Sequence, residues 1–253
     1  MMQPVSAVIL VYNEAEVVEE VARGIHAGVV MKIPGSEFVI AEDGSTDGTK
    51  EILKRIVPEM PGARLVEGRE RKGYTRAYKD ALRCCRNELI FFSDSSGKHD
   101  PADFWRLAER IDAYDMVIGC KAARRDPLYR VAMSRVFNFL VSSYFGHRFN
   151  DINTGFRLMK REAIRIVLDE DWHMKHLINF EFTLRVVAHG FRVAEVPVAH
   201  RPRAHGQSRG LPLKKIPEAV FMALRTFPVL RRDLKRIESG VERREACFRE
   251  EDR

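Results

Sequence analysis

Cysteine is scarce and unpaired in this sequence. Cys84, Cys85, Cys120 and Cys247 show neither C-x-x-C spacing nor the density of a disulfide framework. That excludes a structural zinc ribbon and a stapled mini-domain, and it reads as reduced thiols in a cytoplasmic protein. Long hydrophobic runs are missing too. No apolar stretch approaches the roughly eighteen residues of a membrane span, and Met1-Met2-Gln3-Pro4 lacks the basic and apolar regions of a signal peptide. Any membrane contact is therefore expected to be peripheral. Repeats, low-complexity tracts and Pro/Gly/Ser linkers are absent, which leaves one main domain.

What is present is enough for a substantial core, with 253 residues of which 45% are hydrophobic. Lys and Arg number 43 against 36 Asp and Glu, a net charge of +7 that suits an anionic ligand, a lipid headgroup surface or nucleic acid. A nucleic-acid polymer is disfavoured because basic patches interleaved with aromatics, zinc spacing and a recognition-helix pattern are lacking.

The hydrophobic pattern alternates between strand and helix. Val5–Val11 is a nearly continuous apolar run of the kind covered on both faces. Val17, Val18, Val21 and Ile25 follow at helical spacing, then a strand at Phe38–Ala41 and a helix carrying Ile52, Leu53 and Ile56. Further strands are expected at Ala63–Val66, Leu89–Phe92 and Met116–Gly119. Helix faces at Ala77, Ala81, Cys85 and at Phe104, Leu107, Ala108, Ile111 separate them. Repeated β-α units predict an α/β fold with an open, mainly parallel twisted sheet and helices on both faces. After Lys121 the alternation stops. Two helical stretches, Arg130–Phe145 and Leu177–Ala188, precede a last strand-like run, Phe191–Val198. Leu213–Leu230 reads as an amphipathic helix broken near Pro228, fit to lie on a membrane or to pack on the domain. The tail beyond it is mixed charge and reads as a solvated or frayed helix.

Ligands in such sheets sit beyond the C-terminal strand ends. Tyr12-Asn13-Glu14, Glu42-Asp43-Gly44-Ser45, Gly68–Gly73, the Asp94-Ser95-Ser96 loop and Lys121 occupy those places. Ser45, Thr46 and Asp47 can cap the next helix. Capping does not explain Glu42 and Asp43, which stand where the base and ribose of a nucleoside would bind. The Asp94 loop, with Lys98 and then Pro101 at a helix start, suits a diphosphate.

Several ordered motifs carry a resemblance. They are Val11-Tyr12-Asn13-Glu14, Glu42-Asp43-Gly44-Ser45-Thr46-Asp47-Gly48-Thr49, Asp94 with His99-Asp100-Pro101, Asp151 with Gly155-Phe156-Arg157, and Glu195-Val196-Pro197. Together, over Val5 to Arg209, the chain resembles the family-two inverting glycosyltransferases of GT-A fold, and most of all their dolichol-phosphate mannosyltransferase and polyprenyl-phosphate glycosyltransferase branch. The resemblance implies transfer of a sugar from a nucleotide diphosphate-sugar, GDP-mannose or a UDP-sugar, to a polyprenyl phosphate. It puts donor binding on Tyr12, Asn13, Glu14, Glu42, Asp43, Arg71, Lys72, Gly73, Asp94, Ser95 and Ser96. Acceptor-phosphate binding falls on Lys121, Arg130, Ser134, Arg203, Ser208 and Arg209, with Gly206 in the same motif. Catalysis is expected of Asp94, Lys98 and Arg203. Between Arg201 and Lys215 there is no acidic residue, which agrees with a phosphate-facing segment. A phosphate monoester, with a second pKa near about 6, is a nucleophile without a general base. None is nominated.

The chain also departs from the family pattern. The usual Asp-x-Asp, often followed two residues later by Gln, here reads Asp94, Ser96 and Lys98. Three readings stay open: Lys98 takes over the metal's electrostatic role and the enzyme is metal-independent; Asp94, Ser96 and water hold Mg2+ or Mn2+ weakly; or the site binds nucleotide-sugar without catalysis and the protein is a scaffold. Glu42 replaces a usual Asp, Leu10 a usual Pro and Thr75 a common Gly. The expected organisation is a catalytic domain over 1–212, an amphipathic membrane-proximal segment over 213–236 and a charged tail over 237–253, in a protein peripherally bound to the cytoplasmic face of a membrane. A helper membrane subunit or a homo-oligomer is left open, as are the sugar and the base.

Overall fold

The computed structural model describes residues 2–121, 128–174, 177–199 and 216–251. Its first half follows the alternating pattern. Strand β1 (Val5–Val11) is buried at every position and leads to α1 (Val18–Gly28). Then come β2 (Glu37–Glu42), α2 (Thr49–Ile56), β3 (Ala63–Glu67), α3 (Tyr74–Arg83), β4 (Leu89–Asp94), α4 (Phe104–Ala108) and β5 (Met116–Lys121). The second half adds α5 (Leu128–Phe145), β6 (Phe156–Lys160), α6 (Arg161–Asp169), α7 (Ile178–Ala188), β7 (Val193–Val198) and α8 (Ile216–Glu251).

The seven strands form one sheet in the order β3-β2-β1-β4-β6-β5-β7. All neighbours are parallel except β6, which runs antiparallel to both β4 and β5. From β1 the chain winds outward through β2 and β3, then returns to lay β4 on the other side of β1. That reversal opens a crevice between the C-terminal ends of β1 and β4, where Leu10 pairs with Asp94. The sheet buries both faces. Val18, Ile25, Leu53, Phe104 and Leu107 pack with Ile9, Phe38 and Phe91 on one side. On the other, Tyr78, Leu82, Ile164 and Phe182 pack with Val8, Ile90 and Phe92. A third cluster joins α5, α7 and α8 through Val141, Phe180, Leu184, Leu230 and Leu234.

The structure differs from the sequence reading in three places. Strand β6 and helix α6 were not anticipated. β6 carries the fully buried Arg157 in its short run, so its pattern does not read as a core strand. Helix α4 is short, and Ile111 lies beyond its end. Helix α8 continues through Pro228 rather than breaking there. A proline inside a helix costs about 3 kcal/mol, and the side chains around it offset that cost: Leu230 is wholly buried and Phe227 packs against Tyr144, Phe145 and Phe180. Part of the apolar face expected on a membrane is thus used inside the protein.

Candidate active site

Two turns at the ends of β1 and β2 lock together. Asn13 adopts φ 52°, a left-handed conformation that Asn tolerates. Its N–H donates to Ser45 Oγ at 2.9 Å, and its Oδ1 accepts from the Thr46 N–H at 2.8 Å. The Glu14 N–H donates to Thr49 Oγ1 at 2.9 Å, and Asp47 accepts from the Ala15 N–H at 3.2 Å and from the Thr49 hydroxyl at 2.5 Å. The Ser, Thr and Asp residues that look like helix caps in the sequence thus tie β2 to β1.

The carboxylates of β2 are similarly engaged. Asp43 accepts from the backbone N–H of Lys72 at 2.8 Å and of Gly73 at 3.2 Å, which fixes the start of α3. Glu42 is buried, accepts from the Ser45 N–H, and lies 3.6 Å from the Lys50 ammonium. Gly44, at φ 74°, lets the two turns meet: a Cβ there would fall 2.5 Å from the Arg71 backbone nitrogen. That approach brings the Arg71 guanidinium to 4.2 Å from the centre of the Tyr12 ring. Lys72 differs from expectation. Its ammonium turns away to Asp80 at 2.7 Å, so its backbone, not its charge, serves the crevice.

Across the crevice, Asp94 ends β4 at the start of β6. Its N–H donates to the Gly155 carbonyl at 3.0 Å, and a Cβ on Gly155 would lie 2.2 Å from Asp94 Oδ1, so any larger residue there must displace the Asp94 carboxylate. Burial pushes the Asp94 carboxyl above the usual carboxylate range, opposed first by Lys121, then by Arg157 and Lys98. Lys98 does act on Asp94, as the sequence suggested, but it ranks third among these cations. Lys121, at the end of β5, also faces Asp151 at 3.7 Å. The loop bearing Asp151 is held by Glu195, whose carboxylate accepts from the N–H of Asn150 at 2.8 Å and of Asp151 at 2.7 Å.

Arg157 underlies this group. It is wholly buried and donates to the carbonyls of Thr154, Ile152 and Asn179 at 2.7, 2.7 and 3.2 Å and to Thr183 Oγ1 at 2.8 Å. Burial lowers its pKa, and the neighbouring tyrosines and the Asp94 and Asp151 carboxylates oppose that shift. An arginine stays charged in this setting, so it supplies a fixed positive charge beneath the site.

Tyr12, Asn13, Glu14, Glu42, Asp43, Arg71, Lys72, Gly73, Asp94, Ser95, Ser96, Lys98 and Lys121 thus lie at the C-terminal strand ends or the loops that follow them. Arg130 and Ser134 lie on α5, where the structure does not describe their side chains. Arg203, Ser208 and Arg209 lie outside the described residues. Sequence reasoning quoted Arg157, Gly155, Asp151 and Glu195 in motifs without making them site residues, and it missed Lys50. The Gly-Phe-Arg triplet was the available signal.

At the replaced motif the protein's own oxygen donors are one carboxylate, Asp94, and one hydroxyl, Ser96. Among the described residues no cluster of three His, Cys, Asp or Glu side chains could hold a divalent cation. Asp94, the lone carboxylate of the replaced motif, is instead set among Lys121, Arg157 and Lys98.

Residues 6–168 match the family described as Glycosyl transferase family 2, and the chain belongs to that family. It is 29% identical over 213 residues to the undecaprenyl-phosphate 4-deoxy-4-formamido-L-arabinose transferase of Edwardsiella ictaluri, covering 82% of this chain and 63% of that protein. It is 27% identical over 226 residues to the polyprenol monophosphomannose synthase of Mycolicibacterium smegmatis, covering 85% of this chain and 83% of that one. The chain spans about six tenths of the arabinose-transferase relative's length, while the glycosyltransferase AglD of Haloferax volcanii, 30% identical over 79% of this chain, is matched over 33% of its own. Among solved structures, the mannosyltransferase PcManGT of Pyrobaculum calidifontis, in complex with GDP-Man and Mn2+, superposes with a TM-score of 0.60 at 22% identity, covering 83% of this chain and 59% of that one. The glucosyl-3-phosphoglycerate synthase of Mycobacterium tuberculosis, in complex with Mn2+, UDP and phosphoglyceric acid, gives 0.67 at 16% identity, covering 89% and 78%. The fold is the GT-A fold that the resemblance implied.

Proposed function

We propose that this chain transfers a sugar, with inversion, from a nucleotide diphosphate-sugar to the phosphate of a membrane polyprenol. The observation that carries the reading is the state of the carboxylates at the catalytic edge. Asp43 and Glu42 face backbone amides, Asp47 faces amides and a hydroxyl, and Asp94 and Asp151 face cations. These carboxylates are thus committed to holding the turns and charges of the site, whereas a hydroxyl acceptor would need one placed to take its proton. A phosphate acceptor brings its own negative oxygen. That oxygen forms the new bond to the anomeric carbon while the bond from this carbon to the diphosphate oxygen breaks on the opposite face, and the bonding electrons leave with the nucleoside diphosphate.

Tyr12 and Arg71 would hold the nucleoside end, together with the Asn13, Glu14, Glu42 and Asp43 turn. Lys121 and Lys98 would neutralise the charge that grows on the leaving diphosphate, with Ser95, Ser96 and Asp94 fixing its position. Arg130, Ser134, Arg203, Ser208 and Arg209 would meet the acceptor phosphate. Because the lone carboxylate of the replaced motif, Asp94, is acted on by Lys121, Arg157 and Lys98, we propose that the reaction runs without a bound metal. The relatives named for undecaprenyl-phosphate and polyprenol chemistry support the acceptor class. Cys84, Cys85 and Cys120 form no disulfide among the described residues, which suits a reducing compartment and hence the cytoplasmic face of a membrane. No described helix is long and apolar enough to cross one.

Thermal unfolding with GDP or UDP, in chelator and in Mn2+, tests the donor side. A ligand that binds the folded state raises stability with its affinity. One diphosphate is expected to raise the melting temperature equally in both conditions. A rise seen only with Mn2+ would remove the metal-free part, and no rise with either nucleotide would remove the donor assignment.

A further inference from the structure

Away from the crevice, large exposed apolar side chains gather on two helices. On α5, Val136, Phe139 and Leu140 are 57%, 70% and 58% exposed. These positions fall at i, i+3 and i+4 and share one face, while Val141 and Phe145 turn the other face inward to Phe180 and Phe227. Isolated exposed apolar residues are ordinary, but a contiguous ridge marks a surface that meets something.

The charge around the ridge indicates what that is. Arg148, just past the end of α5, is exposed and borders a groove of about 560 Å³ beside Phe139, Ser142 and Ser143. The outward stripe of α8 reads Met222, Arg225, Val229, Arg232 and Arg236, at helical spacing and exposed throughout. Arg231 lies 4.7 Å over the Tyr144 ring and ties the two helices together, and Asp233, the one acid among these positions, is occupied by His173. Apolar side chains beside Arg148, on a helix packed against another whose outer stripe is basic, match acyl chains below anionic headgroups. An acidic protein would satisfy the arginines and leave the ridge in water. The Asn138 side-chain amide, moreover, donates to the Asn150 carbonyl, so the helix that bears the ridge touches the loop leading to Asp151.

We infer that the Val136–Phe139–Leu140 ridge, with Arg148 and the basic stripe of α8, docks this protein on an anionic phospholipid surface. Its purpose rests on the lipid-phosphate acceptor proposed above; its test does not. The full chain is floated with vesicles of phosphatidylcholine, alone and mixed with phosphatidylglycerol. Binding is expected to the mixed vesicles, and Phe139→Asp or Leu140→Asp should lower the partition about tenfold or more. Arg148→Ala combined with Arg232→Ala should narrow the difference between the two vesicle types. Both apolar positions are exposed, so melting temperatures should hold, and Leu140→Asp should leave transfer to a water-soluble short-chain phosphate acceptor unchanged. Equal flotation of the wild type and both Asp variants would overturn the inference. So would self-association abolished by Leu140→Asp, because a second copy would then cover the ridge. Ridge-dependent flotation by a protein that transfers no sugar would keep the docking surface and remove the functional proposal.

Discussion

Lys121→Met keeps the length of the side chain at the end of β5 and deletes its charge. In the native protein the ammonium lies 3.7 Å from Asp151 Oδ2, with the lysine side chain 24% exposed and the aspartate 8%. At that separation an effective dielectric of about 20 gives a gross attraction of about 4 kcal/mol. Desolvation and partial solvent contact reduce the net worth to about 2 kcal/mol. The same charge is the first of the cations that oppose the upward push of burial on Asp94, so the variant removes a favourable charge from two carboxylates at once, the buried Asp151 and the half-buried Asp94. If Lys121 also neutralises the leaving diphosphate, the transition state loses on the order of 2–4 kcal/mol, a fall in kcat of about 30- to 1000-fold. The assay is steady-state transfer at saturating donor and lipid phosphate, with the melting temperature measured alongside. Lys121→Arg, which keeps the charge, should recover most of the rate. A Met variant within about threefold of the wild type in kcat would refute the reasoning.

Four further outcomes follow. Gly155→Ala puts a methyl 2.2 Å from Asp94 Oδ1 and should both destabilise the fold and abolish transfer; retained activity would mean the Asp94 position is not critical. Arg157→Met removes a buried charge with four strong hydrogen bonds and should cost about 3–5 kcal/mol in urea unfolding, whereas a loss below about 1 kcal/mol would contradict its anchoring role. Asp43→Asn sets an amide against two backbone N–H donors and should cost about 1–3 kcal/mol and weaken nucleoside diphosphate binding, read as a smaller thermal shift. Burial alone would raise the Glu170 carboxyl, but hydrogen bonds from His189 and Arg185 outweigh it and hold the pKa below the ordinary value. Its stabilising contribution is therefore present above the unfolded-state pKa and lost as pH falls through the folded one. The stability gap between wild type and Glu170→Gln should close on acidification; a gap that widens would show the sign to be wrong.

The parallel half of the sheet is legible because β1, β2 and β4 are covered on both faces, which forces apolar runs that stand out in any sequence. The same logic hid β6. Arg157 interrupts its run, and the oxygens that make a buried arginine tolerable come from Ile152, Thr154, Asn179 and Thr183, a set assembled only by folding. Within the site, sequence proximity drew attention to Lys98 beside Asp94, whereas Lys121 and Arg157, brought in by neighbouring strands, act on that carboxyl more strongly. The cap-like residues at 45–49 were visible, but not that they clamp β2 onto β1. Pro228 marked a break that tertiary packing overrides.

The central claim is that the acceptor supplies its own negative oxygen to a site whose positive charges are side chains. Purified protein given its nucleotide-sugar donor in excess chelator, with a polyprenyl phosphate or the corresponding free polyprenol, tests it most directly, the product's anomeric configuration being read by NMR. The account predicts transfer to the phosphate alone, with inversion. Transfer to the alcohol, retention of configuration, or dependence on added Mn2+ would contradict it.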